Sequence, residues 1–75
     1  MAVAQYRKLE TDRDFQEAME RQHPLRVFRD DYVIDSGGVI VRFDNRTVVV
    51  QTGVGDIAYH PRQECEFFET RRRPS

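Results

Sequence analysis

At 75 residues the chain has room for one domain, and a domain this short buries only about 60% of the surface its unfolded form exposes, so its core alone gives thin stability. A formal net charge of −1, from 12 basic and 13 acidic residues, excludes a generic charge-driven nucleic-acid binder and confines any such binding to a local patch. A single cysteine excludes an internal disulfide, and one cysteine with two histidines makes a poor structural metal site, which leaves oligomerisation as the expected support.

The chain opens on a polar lead, Met1 to Glu10, expected to be flexible and frayed. It carries Arg7, Lys8 and Glu10 and no apolar run of secretion-signal length, so cytoplasmic residence is the expectation. No stretch approaches the ~18 apolar residues of a membrane-spanning helix. Thr11 or Asp12 then caps a helix that runs to about Gln22: a side-chain oxygen there accepts an otherwise unpaired first-turn amide, and Asp12, Asp14 and Glu17 suit the positive helix end. Phe15, Ala18 and Met19 share one face at the i, i+3, i+4 spacing, and Pro24 stops the helix. That face packs on a sheet, or serves as a partner-binding stripe.

Leu25 to Phe28 begins the strands, with Leu25 and Val27 facing one way and Arg26 and Phe28 the other. Asp30-Asp31 makes a turn. Tyr32 to Ile34 resume a strand that meets Ser36-Gly37-Gly38, where missing side chains permit a sharp bend or bulge, with a separate hairpin as the alternative. Val39, Val41 and Phe43 alternate with Ile40, Arg42 and Asp44 at the two-residue period of a strand with one face more buried than the other. Asp44-Asn45-Arg46 breaks that period with turn-forming side chains. Thr47 to Val50, the turn Gly53-Val54-Gly55 and a return strand through Ile57 and Tyr59 follow. Pro61 interrupts, and Cys65 to Phe68 supply a last apolar strand flanked by Glu64, Glu66 and Glu69. The expected fold is mainly β with one N-terminal helix, a small and strongly bent five-stranded barrel, with residues 1–10 as lead, 11–70 as one helix-plus-barrel domain and 71–75 as a basic tail.

No constellation demands a particular chemistry, and no catalytic residue, metal or cofactor is expected. His23, His60 and Cys65 are the only soft metal-ligand candidates, at unfavourable spacing. Glu64 and Glu66 oppose thiolate formation at Cys65, which reads as a small hydrophobe. The glycine turn at 53–55 lacks the following helix of a phosphate loop. A barrel of this size has little room for a water-excluding pocket and shows no acid–base pair, so an enzyme is not expected.

The order of a short helix and five strands, the second bent at a glycine, resembles the Sm-like family, and within it the Hfq group of bacterial RNA chaperones. Gly38, Ile40, Phe43 and Asp44 are similar in type and spacing to that group's first motif, and Tyr59 then falls, without a gap, at the tyrosine of its Tyr-Lys-His. Pro24, Val27 and Phe28 resemble its first strand, given one inserted residue near Asp31, and Phe15, Ala18 and Met19 its helix. The resemblance covers residues 12 to about 60.

It implies a homo-oligomeric ring, usually a hexamer, closed by strand pairing between neighbours, with single-stranded RNA bound on its two faces. By position it assigns Asn45 and Arg46 to the uridine side, where the family has a glutamine and a stacking phenylalanine, and His60 to the same side, where Tyr-Lys-His has become Tyr59-His60-Pro61. Asp12 replaces a glutamine there and would repel RNA. Phe28 stands where the family stacks an adenine, with Arg29 beside it to meet phosphate; the plain alternative for Phe28 is a place in the core. A second class of function stays open: an SH3-like protein-interaction module, or an oligomeric scaffold without RNA binding. The near-neutral charge and the altered uridine-side residues favour that class.

Overall fold

The computed structural model describes residues 4–72. It is mainly β with one helix: β1 (Ala4–Leu9), α1 (Asp12–Arg21), β2 (Leu25–Arg29), β3 (Tyr32–Phe43), β4 (Thr47–Thr52), β5 (Asp56–Pro61) and β6 (Glu66–Arg72). The strands form one antiparallel sheet in the order β1-β6-β2-β3-β4-β5. Two expectations are corrected. There are six strands rather than five, because the lead expected to fray pairs with β6 from Ala4↔Arg72 to Leu9↔Phe67. The pairing is also open at β1 and β5 instead of closing into a barrel. Arg71 and Arg72 lie in β6, and the tail beyond Arg72 falls outside the described residues.

Helix α1 starts and stops as its sequence dictates. The Thr11 hydroxyl accepts from Asp14 N–H at 3.1 Å, and the Asp14 carboxylate accepts from Thr11 N–H at 3.1 Å, a reciprocal capping box. Gln22 closes the other end in the left-handed conformation, its N–H and that of His23 capping the last carbonyls. Asp30 and Asp31, with φ of 51° and 68°, have the double positive φ of a type I′ turn, which matches the twist of the β2–β3 hairpin. Asp44 accepts from Arg46 N–H and Thr47 N–H, both at 2.8 Å, and these two amides hold its carboxyl below the usual carboxylate range.

β3 carries the curvature. It pairs with β2 through its first half and with β4 through its second, and three register shifts leave Ile34, Gly37 and Val41 as the extra residues. Gly37 takes a φ of +88°, open to glycine at little cost. At Gly38 a Cβ would lie 2.3 Å from Val50 Cγ1 and 3.1 Å from the Gln51 carbonyl, so only glycine lets β4 pass this close to the bend. The shift at Val41 also turns the chain so that Ile40 is buried and Phe43 still reaches the core.

The core gathers Leu9, Phe15, Ala18, Leu25, Val27, Ile40, Val48, Val50, Cys65 and Phe67, with Met19 and Phe43 packed against it. Phe15 from α1 lies edge-on to Phe67 with ring centroids 5.4 Å apart and tilted against Phe43 at 5.8 Å, joining the two halves of the sheet. Arg62 locks the opposite side of that ring. Its guanidinium stacks 4.5 Å over Phe15 and donates to Asp12 Oδ1 at 2.7 Å and to the Asp44 carbonyl at 2.8 Å.

Candidate ligand-binding face

The five residues assigned by resemblance do not form one site. Asn45 and Arg46 are exposed on the β3–β4 turn, where Arg46, Pro61, Gln63 and Glu64 line a cleft of about 240 Å³. Arg29, at the end of β2, is ion-paired with Glu64. His60, expected at an RNA contact, is only 7% exposed and faces inward, where Nε2 donates to Asp35 Oδ2 at 3.0 Å while Thr52 Oγ1 donates to Asp35 Oδ1 at 3.1 Å. Asp12, expected to repel RNA, is occupied by Arg62. Phe28 is half-buried rather than in the core and stands edge-on to Phe68, centroids 5.4 Å apart.

That aromatic pair opens a site whose members come from distant parts of the chain. Cα register places Lys8 and Arg26 on either side of Phe68, and Ser36 on the far side of Arg26, so Lys8, Phe68, Arg26 and Ser36 form one row across β1, β6, β2 and β3. The next row holds Glu66, Phe28 and Val33. Directly opposite residues share a face in an antiparallel sheet, and here it is the outer one, because the alternate residues Leu25, Val27, Phe67 and Glu69 are buried. The face thus interleaves aromatic rings with cations. Lys8 has one carboxylate near it, Glu66 at 3.5 Å.

Beside this row lies a groove of about 490 Å³, lined by His23, Pro24, Arg26, Ser36, Gly37 and Thr70. Its floor is tied by Thr70 N–H donating to the Pro24 carbonyl at 2.9 Å. Beneath it Glu69 is fully buried, 2.9 Å from His23 Nδ1 and 3.6 Å from Arg7 Nε. Arg7 also lies 3.8 Å from Asp14 and 3.9 Å from Glu17, so one arginine of β1 ties α1 to β6.

The outer face of β3–β4–β5 differs in kind. Val41, Ile57 and Tyr59 are exposed there, and Arg42, Phe43, Asp44, Thr47, Val49 and Tyr59 line a cleft of about 190 Å³. Near the β5 edge, Ile34, Asp35, Thr52, Gly55, Asp56, Ile57 and Ala58 line another of about 360 Å³.

Sequence reasoning singled out Phe28 but not Phe68, against which its ring stands, nor the register that sets Lys8 and Ser36 in one row with Phe68 and Arg26. Arg26 was legible as Phe28's partner from the two-residue period, but no local signal aligns β1 and β6 with β2. The Cys65 thiol is pushed up by burial, in keeping with an unreactive packed side chain. No group of three or more His, Cys, Asp or Glu able to hold a metal occurs among the described residues, nor any helix long and apolar enough to cross a membrane. No protein-family model matches the chain, and no curated protein or solved structure matches it.

Proposed function

We propose that this chain is a non-catalytic, Sm-like module that self-associates through its open strand edges and binds single-stranded RNA on the outer face of β6–β2–β3. The observation that carries the RNA reading is the Phe28–Phe68 pair, with Phe68 standing between Lys8 and Arg26 and Phe28 in the next row beside Glu66 and Val33. Aromatic rings that present an accessible face stack on bases of any sequence, and neighbouring cations answer the backbone phosphates; Phe28 and Phe68, both half-buried, supply the first and Lys8 and Arg26 the second. Arg26 adds a planar fork suited to phosphate. The strand order β6-β2-β3-β4-β5 and the bulged bend at Gly37-Gly38 support the Sm-like reading of the architecture.

Self-association follows from the two ends of the sheet. The outer edges of β1 and β5 leave backbone N–H and C=O groups without strand partners, and pairing the β5 edge of one copy with the β1 edge of the next satisfies both and closes into a ring if the rotation permits. Because β1 covers β6, the joint involves β1 rather than the last strand. The test is absolute mass in solution by light scattering, with and without a short adenine-rich RNA. A ring-sized mass with salt-sensitive RNA binding that weakens in Phe28→Ala and Phe68→Ala supports the proposal. A monomer indifferent to RNA overturns it.

A second reading rests on a different surface. Ile57 and Tyr59, 53% and 64% exposed on an edge strand, suit an added peptide strand of a protein partner. A monomer that leaves RNA unbound yet captures an extended apolar peptide along β5 would favour it.

A further inference from the structure

We propose that the groove between the start of β2, the bend of β3 and the end of β6 is a phosphate-binding site, an inference that rests on reading the adjoining face as an RNA interface and gives that face its anchor point. Three side chains able to donate to an anion line the groove, the Arg26 guanidinium and the Ser36 and Thr70 hydroxyls, with the His23 ring beside them. Nδ1 of His23 lies 2.9 Å from the Glu69 carboxylate, so the ring that borders the groove is positioned from within the fold. Within the protein the Glu69 carboxylate is ion-paired with Arg7, Nε to Oε1 at 3.6 Å.

The groove is distinguished from its neighbours by what it lacks. Among the described residues no carboxylate lines it, whereas the clefts at Tyr59, at Ile57 and at Arg46 include Asp44, Asp35 with Asp56, and Glu64. An anion entering any of those meets a like charge, and an anion entering this one meets Arg26. Gly37 borders open space, since a Cβ there would have no atom within 4 Å. The volume of about 490 Å³ falls within the range of small-ligand sites, with room for more than a phosphate alone. Arg26 belongs both to the groove and to the row holding Phe68. A nucleotide therefore sets its phosphate in the groove and its base against Phe68 and Phe28.

The same phosphate chemistry is offered by a strand phosphodiester and by free phosphate, and amide shift mapping separates them. Inorganic phosphate, adenosine 5′-monophosphate and adenosine are titrated into isotope-labelled protein. Phosphate and the monophosphate are expected to move the amides of Arg26, Ser36, Gly37 and Thr70, and the monophosphate to bind at least several-fold more tightly than adenosine. Arg26→Gln should weaken phosphate binding about tenfold, the scale of a lost charge-assisted hydrogen bond, and Arg42→Gln should leave it unchanged. Shifts spread equally over all exposed arginines, or unaltered binding in Arg26→Gln, overturn the proposal. If phosphate occupies the groove but the monophosphate is no tighter and adenine-rich RNA does not bind, the groove stands as a site for free phosphate and the RNA reading falls. If RNA binds Arg26→Gln and Ser36→Ala as well as the parent chain, the groove assignment falls and the aromatic face stands without it.

Discussion

The two outer faces of the sheet share one strand and little else. On the β6–β2–β3 side, half-buried aromatic rings alternate with Lys8 and Arg26 beside a groove without carboxylates. On the β3–β4–β5 side, exposed Val41, Ile57 and Tyr59 lead to an edge strand. The bend in β3 lets a single 12-residue strand present hydroxyl and glycine to the first face and valine and arginine to the second. Sequence neighbours are thus divided between the face proposed to hold RNA and the face proposed for association, and the three bulges make the division.

The largest expected effect comes from breaking the bend itself. Gly38→Val drives a side chain into Val50, Thr52 and the Gln51 carbonyl, and overpacking against backbone is expected to cost about 3 kcal/mol, read as a lower urea midpoint. Parent-like stability would mean that β4 can move away and that the bend does not depend on Gly38. Next is the support beneath the first face. Glu69→Ala leaves Arg7 and His23 facing a vacated carboxylate site, a loss of about 2–3 kcal/mol; the figure sits below that of a fully buried pair because Arg7 and His23 are each about a third exposed. A loss under about 0.5 kcal/mol would show that β1 is held by its backbone ladder alone.

Two surface variants then set the faces against each other. Phe68→Ala is expected to lower affinity for a four-nucleotide adenine-rich RNA about tenfold, the scale of one stacked base, without changing the mass in solution. Tyr59→Ser should reduce the mass and leave that short RNA's affinity per protomer intact. Should both variants change both readouts, the faces are one coupled surface.

The smallest effect is at the helix start. Thr11→Ala removes one half of the capping box and is expected to cost about 1 kcal/mol. The amides of Glu10 and Thr11 hold the Asp14 carboxyl below its usual range. A lowered folded-state value means that this contribution is in place at neutral pH, above the ordinary carboxylate range near ~4, and is lost as pH falls through the lowered value. Asp14→Asn should therefore flatten the acid limb of the stability profile, measured by thermal melts across pH. An unchanged limb would assign acid unfolding to other carboxylates.

Local chemistry was legible wherever a few adjacent residues decide the outcome. The Thr11–Asp14 cap, the Asp30-Asp31 and Asp44-Asn45-Arg46 turns, the glycine bend and the inward Leu25–Val27 pair follow from hydrogen bonds and alternation over a span of two to four residues. The same reading missed β1, because Gln5-Tyr6-Arg7-Lys8 shows no apolar period and becomes a strand only by pairing with β6. It placed His60 at an RNA contact, yet the ring turns inward to Asp35, a partner 25 residues away. Glu69 read as a flanking charge, and is buried because Arg7 and His23 arrive from β1 and the end of α1.

The sequence by itself determined where the chain turns, where its helix is capped and which strand residues alternate, since backbone dihedrals and short-range hydrogen bonds carry that information. Only the tertiary structure decided which cations stand beside which rings, and which charges go inside. Phe68 meets Phe28, Lys8 and Arg26 through strand register, a long-range property whose favourable contacts exist only once the whole sheet has formed.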